Sequence, residues 1–273
     1  MAIKLIALDL DGTTLNDDKH ISDVTKATLE EAIDKGVNVV IATGRTYSAI
    51  PEDVFKIRGI QYVLTSNGAV ITDVQKGQVI YENCLSPKAT QDVVDLLRQY
   101  DFMVETFVGG IAYIDRKFYD GIRDHKIGYR HMEYVLKTRK PVDDIYEFIL
   151  EHQGHIENIN VNFEFQDDRA MMREKLMQIP DATMTTAFDT NLEMGGGTTS
   201  KASALLHLEK ILGVKPEEMM AVGDSPNDMA MMQLAGMPVA MGNAKEEVKA
   251  IAKYVTATNK EDGVARAVKK FVL

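Results

Sequence analysis

Three aspartates stand at or just beyond the ends of short apolar runs. Asp9 closes the run 3–9, Asp11 lies two residues further on, and Asp224 follows the run 219–222 across a single glycine. Both runs are too short for helices and lack polar alternation, so they read as strands covered on both faces of a parallel sheet. Extended backbone past the first strand would aim Asp9 and Asp11 to one side. The carboxyl ends of parallel strands are also where ligands bind in such sheets. Like charges about 4 Å apart at an effective dielectric of about 20 repel by about 4 kcal/mol per pair. Converging carboxylates therefore demand a cation or raised pKa values, and a hard divalent ion with oxygen ligands, most simply Mg²⁺, is the economical answer. The competing reading of Asp11-Gly12-Thr13 is a solvated turn. A calcium-binding EF-hand loop is excluded, because Thr14 stands where that loop needs glycine.

Other positions carry two readings each. Ser225-Pro226-Asn227-Asp228 has a capping serine, a proline at the first helical position and an acid three residues after the cap. Asp228 thus reads as half of a capping box or as a supporting group around a metal, and Asn227 as a ligand or a turn residue. Thr43 after the second strand reads as a helix cap, Lys201 near a helix start as a surface lysine, and Asn67 as a turn residue or a neighbour of a ligand. The glycines at 195–197 ahead of Lys201 do not make a phosphate-binding P-loop. Ser200 replaces its glycine and Ala202 its Ser or Thr, and the run also misses the last glycine of a dinucleotide-binding motif.

The elements that must position these residues alternate. Strand 3–9 is followed by a helix from Ser22 to Lys35 stopped by Gly36, strand 37–42, a helix after Thr43-Gly44-Arg45, and strand 61–65. A hairpin over 69–73 and 78–82 then breaks the rhythm. After Lys201 it resumes with a helix to Leu212, strand 219–222, a helix ending at Gly236, strand 237–240 and a helix from Lys245. This predicts a doubly wound, mainly parallel α/β sheet over residues 1–83 and 189–273. Residues 84–188 mix helices with strands around Gly109-Gly110, 156–165, Met184 and Leu192, and read as an inserted α+β module.

Net charge −10 repels a nucleic-acid backbone. The single cysteine, Cys84, builds neither an internal disulfide nor a cysteine zinc site and fits a reducing compartment. The amino-terminal residues are unlike a secretory signal, and no apolar stretch reaches membrane-spanning length. The expectation is a soluble cytoplasmic protein that engages neither nucleic acid nor membrane. Between 116 and 140, eight Lys and Arg face three acids, a block that reads as an anion-facing surface or as a solvated helix face.

Taken in order, Asp9-Leu10-Asp11-Gly12-Thr13, Ala42-Thr43-Gly44-Arg45, Lys201 and Gly223-Asp224-Ser225-Pro226-Asn227-Asp228 resemble the four motifs of the haloacid dehalogenase-like phosphatases. The match is to the Cof-type sugar-phosphatase branch, in which a cap is inserted between the second and third motifs. The residues around Lys201 depart from the small-residue Lys-Gly pattern of many relatives, as does Thr14 from the usual leucine. The resemblance implies that Asp9 is the nucleophile forming an aspartyl-phosphate and Asp11 the general acid and base. It further implies Mg²⁺ on the Asp9 carboxylate, the Asp11 carbonyl and Asp224, with Asp228 in support. The phosphoryl group would lie among Leu10, Thr43, Gly44, Lys201 and Asn227. The partner it implies is a small phosphorylated metabolite, most simply a sugar phosphate. A phosphomutase or phosphotransferase would share the nucleophile, and a non-catalytic phosphometabolite-binding module would share the scaffold.

Overall fold

A computed structural model describes residues 2–273, which fall into two compact units. In chain order the strands are β1 (Leu5–Leu8), β2 (Asn38–Ala42), β3 (Tyr62–Thr65), β4 (Val70–Asp73), β5 (Gln78–Glu82), β6 (Met103–Val108) and β7 (Ile111–Asp115). They continue as β8 (Arg139–Val142), β9 (Ile156–Asn162), β10 (Ala182–Thr185), β11 (Asn191–Gly196), β12 (Met219–Gly223), β13 (Met237–Ala240) and β14 (Tyr254–Val255).

The first unit, made of the residues up to Gly44, Ile50–Tyr81 and Ser200–Leu273, holds an eight-stranded sheet in the order β14-β13-β12-β1-β2-β3-β4-β5. Pairing is parallel from β14 through β3, and β4 turns antiparallel against β3. Every residue of β1 and β12 is buried, as uninterrupted apolar strands in a covered parallel sheet must be. The chain moves outward from β1 to β3 in one direction and from β12 to β14 in the other. The order therefore reverses between β1 and β12, and the carboxyl ends of the strands at such a reversal are where doubly wound sheets bind ligands. The helix Asp23–Asp34 is capped by Ser22, whose hydroxyl accepts from the Thr25 N–H at 3.0 Å. The helix expected after Thr43 is reduced to a 3-10 turn, Tyr47–Ala49, and the single helical turn Glu52–Phe55. Pro51 between them removes a backbone donor and forces its predecessor out of helical geometry. Thr43 consequently caps no helix.

The second unit, Arg45–Ala49 with Glu82–Thr199, contains a six-stranded sheet ordered β10-β11-β9-β6-β7-β8. One face alternates Val104, Ile159, Val161, Leu192 and Met194 into a core with Val93, Val94, Leu97, Ile149 and Leu176 from the covering helices. The other face carries Glu105, Asn160 and Glu193 in register across β6, β9 and β11. The expected return to the first domain at residue 189 is too early. β11 pairs with β9 and β10, so the division falls between Thr199 and Ser200. Among the described residues no helix is long and apolar enough to cross a membrane.

Candidate active site

At the reversal between β1 and β12, the loops after these two strands and one helix bring an ionic cluster together. The helix Lys201–Leu212 is capped by Ser200, whose side chain accepts from the Ser203 N–H. That cap places Lys201 at the first helical position with its side chain fully buried. Its ammonium donates to Asp9 Oδ1 at 2.7 Å and to Asp228 Oδ1 at 2.6 Å. A buried ammonium is costly unless paired, and two carboxylates pair it. Burial alone would lower the lysine's pKa, but Asp228 and Asp9 outweigh it and hold it above its ordinary value.

Asp228 ends the 3-10 turn Pro226–Asp228 and uses both carboxylate oxygens. Oδ1 takes the lysine, while Oδ2 accepts the N–H groups of Asp224 at 2.9 Å and Ser225 at 3.0 Å. The capping and ionic readings of Asp228 thus hold together. Asp224 accepts from Thr13 Oγ1 at 2.9 Å and Ser225 Oγ at 3.1 Å. Gly12, at φ 79°, allows the close approach, since a β-carbon there would meet Asp224 Oδ2 at 2.5 Å.

Ligand oxygens of Asp9, Asp224 and Asp228 all lie within 4.8 Å of one another. Burial, then repulsion from Asp228, raises the Asp9 carboxyl well above its ordinary pKa. The same two causes push Asp224 up to about 6. Three carboxylates against one ammonium leave negative charge in excess in a desolvated place. A hard oxygen-ligated divalent cation would supply what is missing, so this donor set fits Mg²⁺.

The third carboxylate of the cluster is Asp228 and not Asp11. Extended backbone ends at Asp9, where the Thr14 N–H and hydroxyl both fold back onto the Asp9 carbonyl, at 3.3 and 2.5 Å, and the Leu15 N–H onto Leu10 at 2.9 Å. The period-two argument fails once the strand stops. Asp11 instead reaches Lys19 Nζ at 3.0 Å on a partly exposed loop.

Thr43 and Gly44 follow β2, and both sit beside the turn Ser66–Gly68 that links β3 to β4. The Asn67 N–H donates to the Thr43 carbonyl at 3.0 Å, and Asn67 Oδ1 accepts from Asn227 Nδ2 at 3.0 Å. Leu10 is fully buried at the base of the loop after β1. Thr13 and Lys19 carry no role of their own in the sequence reading, whereas Asn67 reads there as a turn residue or a neighbour of a ligand. For Thr13 the only local hint was its place in the loop after Asp9. For Asn67 it was an Asn-Gly pair directly after a buried strand.

In the second unit, six of the eight basic residues between 116 and 140 are paired. Arg116 meets Asp143, Lys117 meets Asp101, Arg123 meets Asp120 and Asp124, and Lys126 meets Asp124. Arg130 and Arg139 go inward to Glu105 at 2.7 and 2.8 Å. This pairing favours the solvated-face reading of the block. Burial, then Glu157 and Glu82, pushes the Cys84 thiol up to about 12, so it is protonated at neutral pH.

Comparison with known proteins places this geometry. A family described as haloacid dehalogenase-like hydrolase matches residues 6–268. The chain is 34% identical, over 99% of its length and 96% of the relative's, to the Bacillus subtilis protein named 5-amino-6-(5-phospho-D-ribitylamino)uracil phosphatase YcsE. A solved haloacid dehalogenase-like hydrolase from B. subtilis superposes with a TM-score of 0.85 at 30% identity, covering 99% of this chain and 100% of that one. The subclass IIB sugar phosphatase BT4131 superposes with a TM-score of 0.81 at 25% identity, covering 98% of both chains.

Proposed function

The chain belongs to the haloacid dehalogenase-like hydrolases and is a phosphoric monoester hydrolase, and on that premise we propose that it cleaves small phosphorylated metabolites through an aspartyl-phosphate on Asp9. The observation that carries this is the buried Lys201 ammonium, 2.7 Å from Asp9 Oδ1 at the reversal point of the sheet, with Asp224 and Asp228 alongside.

Asp9 is the nucleophile. One carboxylate oxygen forms a bond to phosphorus as the ester P–O bond breaks, and the leaving oxygen takes a proton from Asp11. Water then attacks phosphorus, the bond to Asp9 breaks, and Asp11 takes the proton from that water, restoring both aspartates and releasing phosphate. The pair Asp11–Lys19 is partly exposed, a class of ion pair worth only about 0–1 kcal/mol. Asp11 can therefore leave Lys19 for the reacting oxygen at little cost. A carboxylate cannot approach a phosphate dianion unaided. Lys201 contributes one fixed positive charge, and the Asp9 and Asp224 carboxylates and the Asp11 carbonyl, with Asp228 in support, would hold a Mg²⁺ that would supply the remaining charge neutralisation. Thr43, the backbone of Leu10 and Gly44, Asn227 and Lys201 donate to the phosphoryl oxygens as their charge develops.

The names of the relatives supply the substrate class. One acts on a phosphorylated ribityl compound and one on sugar phosphates. The expected substrates here are therefore phosphorylated sugars or sugar alcohols. The test is phosphate release from sugar phosphates, 5-amino-6-(5-phospho-D-ribitylamino)uracil, nucleotides and p-nitrophenyl phosphate, with Mg²⁺ and with chelator. Turnover that needs Mg²⁺ and falls by about three orders of magnitude or more in Asp9→Asn is expected. Release unaffected by either change overturns the mechanism.

A further inference from the structure

The turn between β3 and β4 is unusual in its backbone. Ser66 and Asn67 both occupy the left-handed region, with φ of 50° and 58°, and both are buried. Such a conformation costs a non-glycine residue on the order of 1 kcal/mol or more and persists only where surrounding contacts fix it. Asn67 makes those contacts. Its N–H holds the Thr43 carbonyl, and its Oδ1 accepts from Asn227 Nδ2. The same oxygen lies against Gly44, where a β-carbon would come within 3.0 Å of it. The next residue, Gly68, passes so near the start of the Lys201 helix that a β-carbon there would stand 2.3 Å from the Ser200 carbonyl oxygen. One turn of three residues thus touches the loops that carry Thr43, Gly44, Lys201 and Asn227.

We propose that Asn67 is a positioning residue for the phosphoryl site, acting by fixing which end of the Asn227 amide faces it. An amide oxygen only accepts, and an amide NH₂ has two hydrogens to give. Asn67 turns its Oδ1 toward Gly44 and Asn227, and Asn227 answers with Nδ2, since flipping the Asn227 amide alone would set two oxygens against each other. One hydrogen goes to Asn67 and the second remains for a phosphate oxygen. The orientation is imposed and not chosen by Asn227 itself, because among the described residues its own Oδ1 is left buried without a hydrogen-bond partner. A buried unpaired carbonyl is tolerated only where something else dictates the geometry. This inference rests on the phosphatase reading above and deepens it.

Asn67→Gly separates positioning from architecture. Glycine adopts φ of 58° without strain, so this variant deletes the side chain and spares the turn. Asn67→Ala deletes the same side chain but strains the backbone. Both are compared with wild type in the full chain with Mg²⁺, using p-nitrophenyl phosphate as substrate and inorganic phosphate as competitive inhibitor, with thermal melting alongside. In Asn67→Gly, KM and the phosphate inhibition constant rise by about tenfold, kcat changes less, and the melting midpoint stays within about 2 °C of wild type. Asn67→Ala shows the same kinetic change with a lower midpoint. Asn227→Ala raises the same two constants, and adding Asn67→Gly to it raises them no further, because the two act as one unit. Unchanged constants in Asn67→Gly, or independent multiplying effects in the double variant, overturn the inference while leaving the phosphatase reading intact. A wild-type protein that releases no phosphate overturns that reading and this inference with it.

Discussion

Each unit of the molecule buries an ionic cluster, and the two are built with opposite balance. In the first unit one ammonium, Lys201, faces the carboxylates of Asp9 and Asp228, with Asp224 nearby. In the second, one carboxylate, Glu105, receives two guanidinium groups, Arg130 and Arg139, and the Asn160 amide. The pKa directions follow the arithmetic of charge. Asp9 and Asp224 are raised, because burial and mutual repulsion exceed what one lysine returns. Burial also pushes Glu105 upward, yet Arg130 and Arg139 outweigh it and hold the carboxyl below its ordinary value. A buried carboxylate whose charge is fully answered, as that of Glu105 is, serves architecture. One that lacks positive charge is prepared to receive it, and that difference distinguishes a site from a strut.

The largest test of this contrast is the sign of a charge deletion. Glu105→Ala leaves two arginines without their buried anion, and losing one partner of a buried pair costs about 3–5 kcal/mol. Asp9→Asn removes one of three repelling carboxylates from a place that already favours the neutral form. In chelator, thermal melting is expected to fall strongly for Glu105→Ala and to rise for Asp9→Asn. A fall in both would mean that the first cluster is self-sufficient and the comparison wrong.

A smaller effect concerns the ion itself. A ligand bound only to the folded state at 100 times its dissociation constant stabilises by about 2.7 kcal/mol. Mg²⁺ should therefore raise the melting midpoint of wild type, and equally that of Arg130→Met in the second unit. Asp224→Asn should lose most of the shift. A shift retained in Asp224→Asn would move the metal away from this cluster.

The two clusters were unequally legible in the sequence. Asp9 and Asp224 announce themselves because each ends a fully apolar strand, where a carboxylate has no structural reason to be, and Lys201 and Thr43 gain meaning from their order along the chain. Asp228 was half visible, its spacing from Ser225 matching a cap that it does make while hiding the lysine it also binds. Asp11 misled, because a period-two rule holds only as far as the strand does, and the fold-back of Thr14 onto the Asp9 carbonyl ends it. Glu105 was invisible. Its partners lie 25 and 34 residues along the chain, and nothing local in the run 103–108 distinguishes a buried acid from one facing water. The late division at residue 200 was missed for the same reason, since β11 reveals its sheet only through pairing with β9 and β10.

The finest test uses pH on the second unit alone. Glu105 has a folded-state pKa below its ordinary value of 4.5, so its ionised form is favoured by folding. The stability it contributes is fully present above that ordinary value and is lost as pH falls through the depressed folded value. Glu105→Gln keeps the shape and some of the hydrogen bonding but cannot ionise. The gap in melting midpoint between wild type and Glu105→Gln should thus be constant near neutrality and narrow progressively below about pH 4.5, with chelator present throughout so that metal release from the first unit adds nothing. A gap that stays constant down to the acid limit would show that the two arginines hold Glu105 by shape and not by charge, and the contrast between the clusters would reduce to packing.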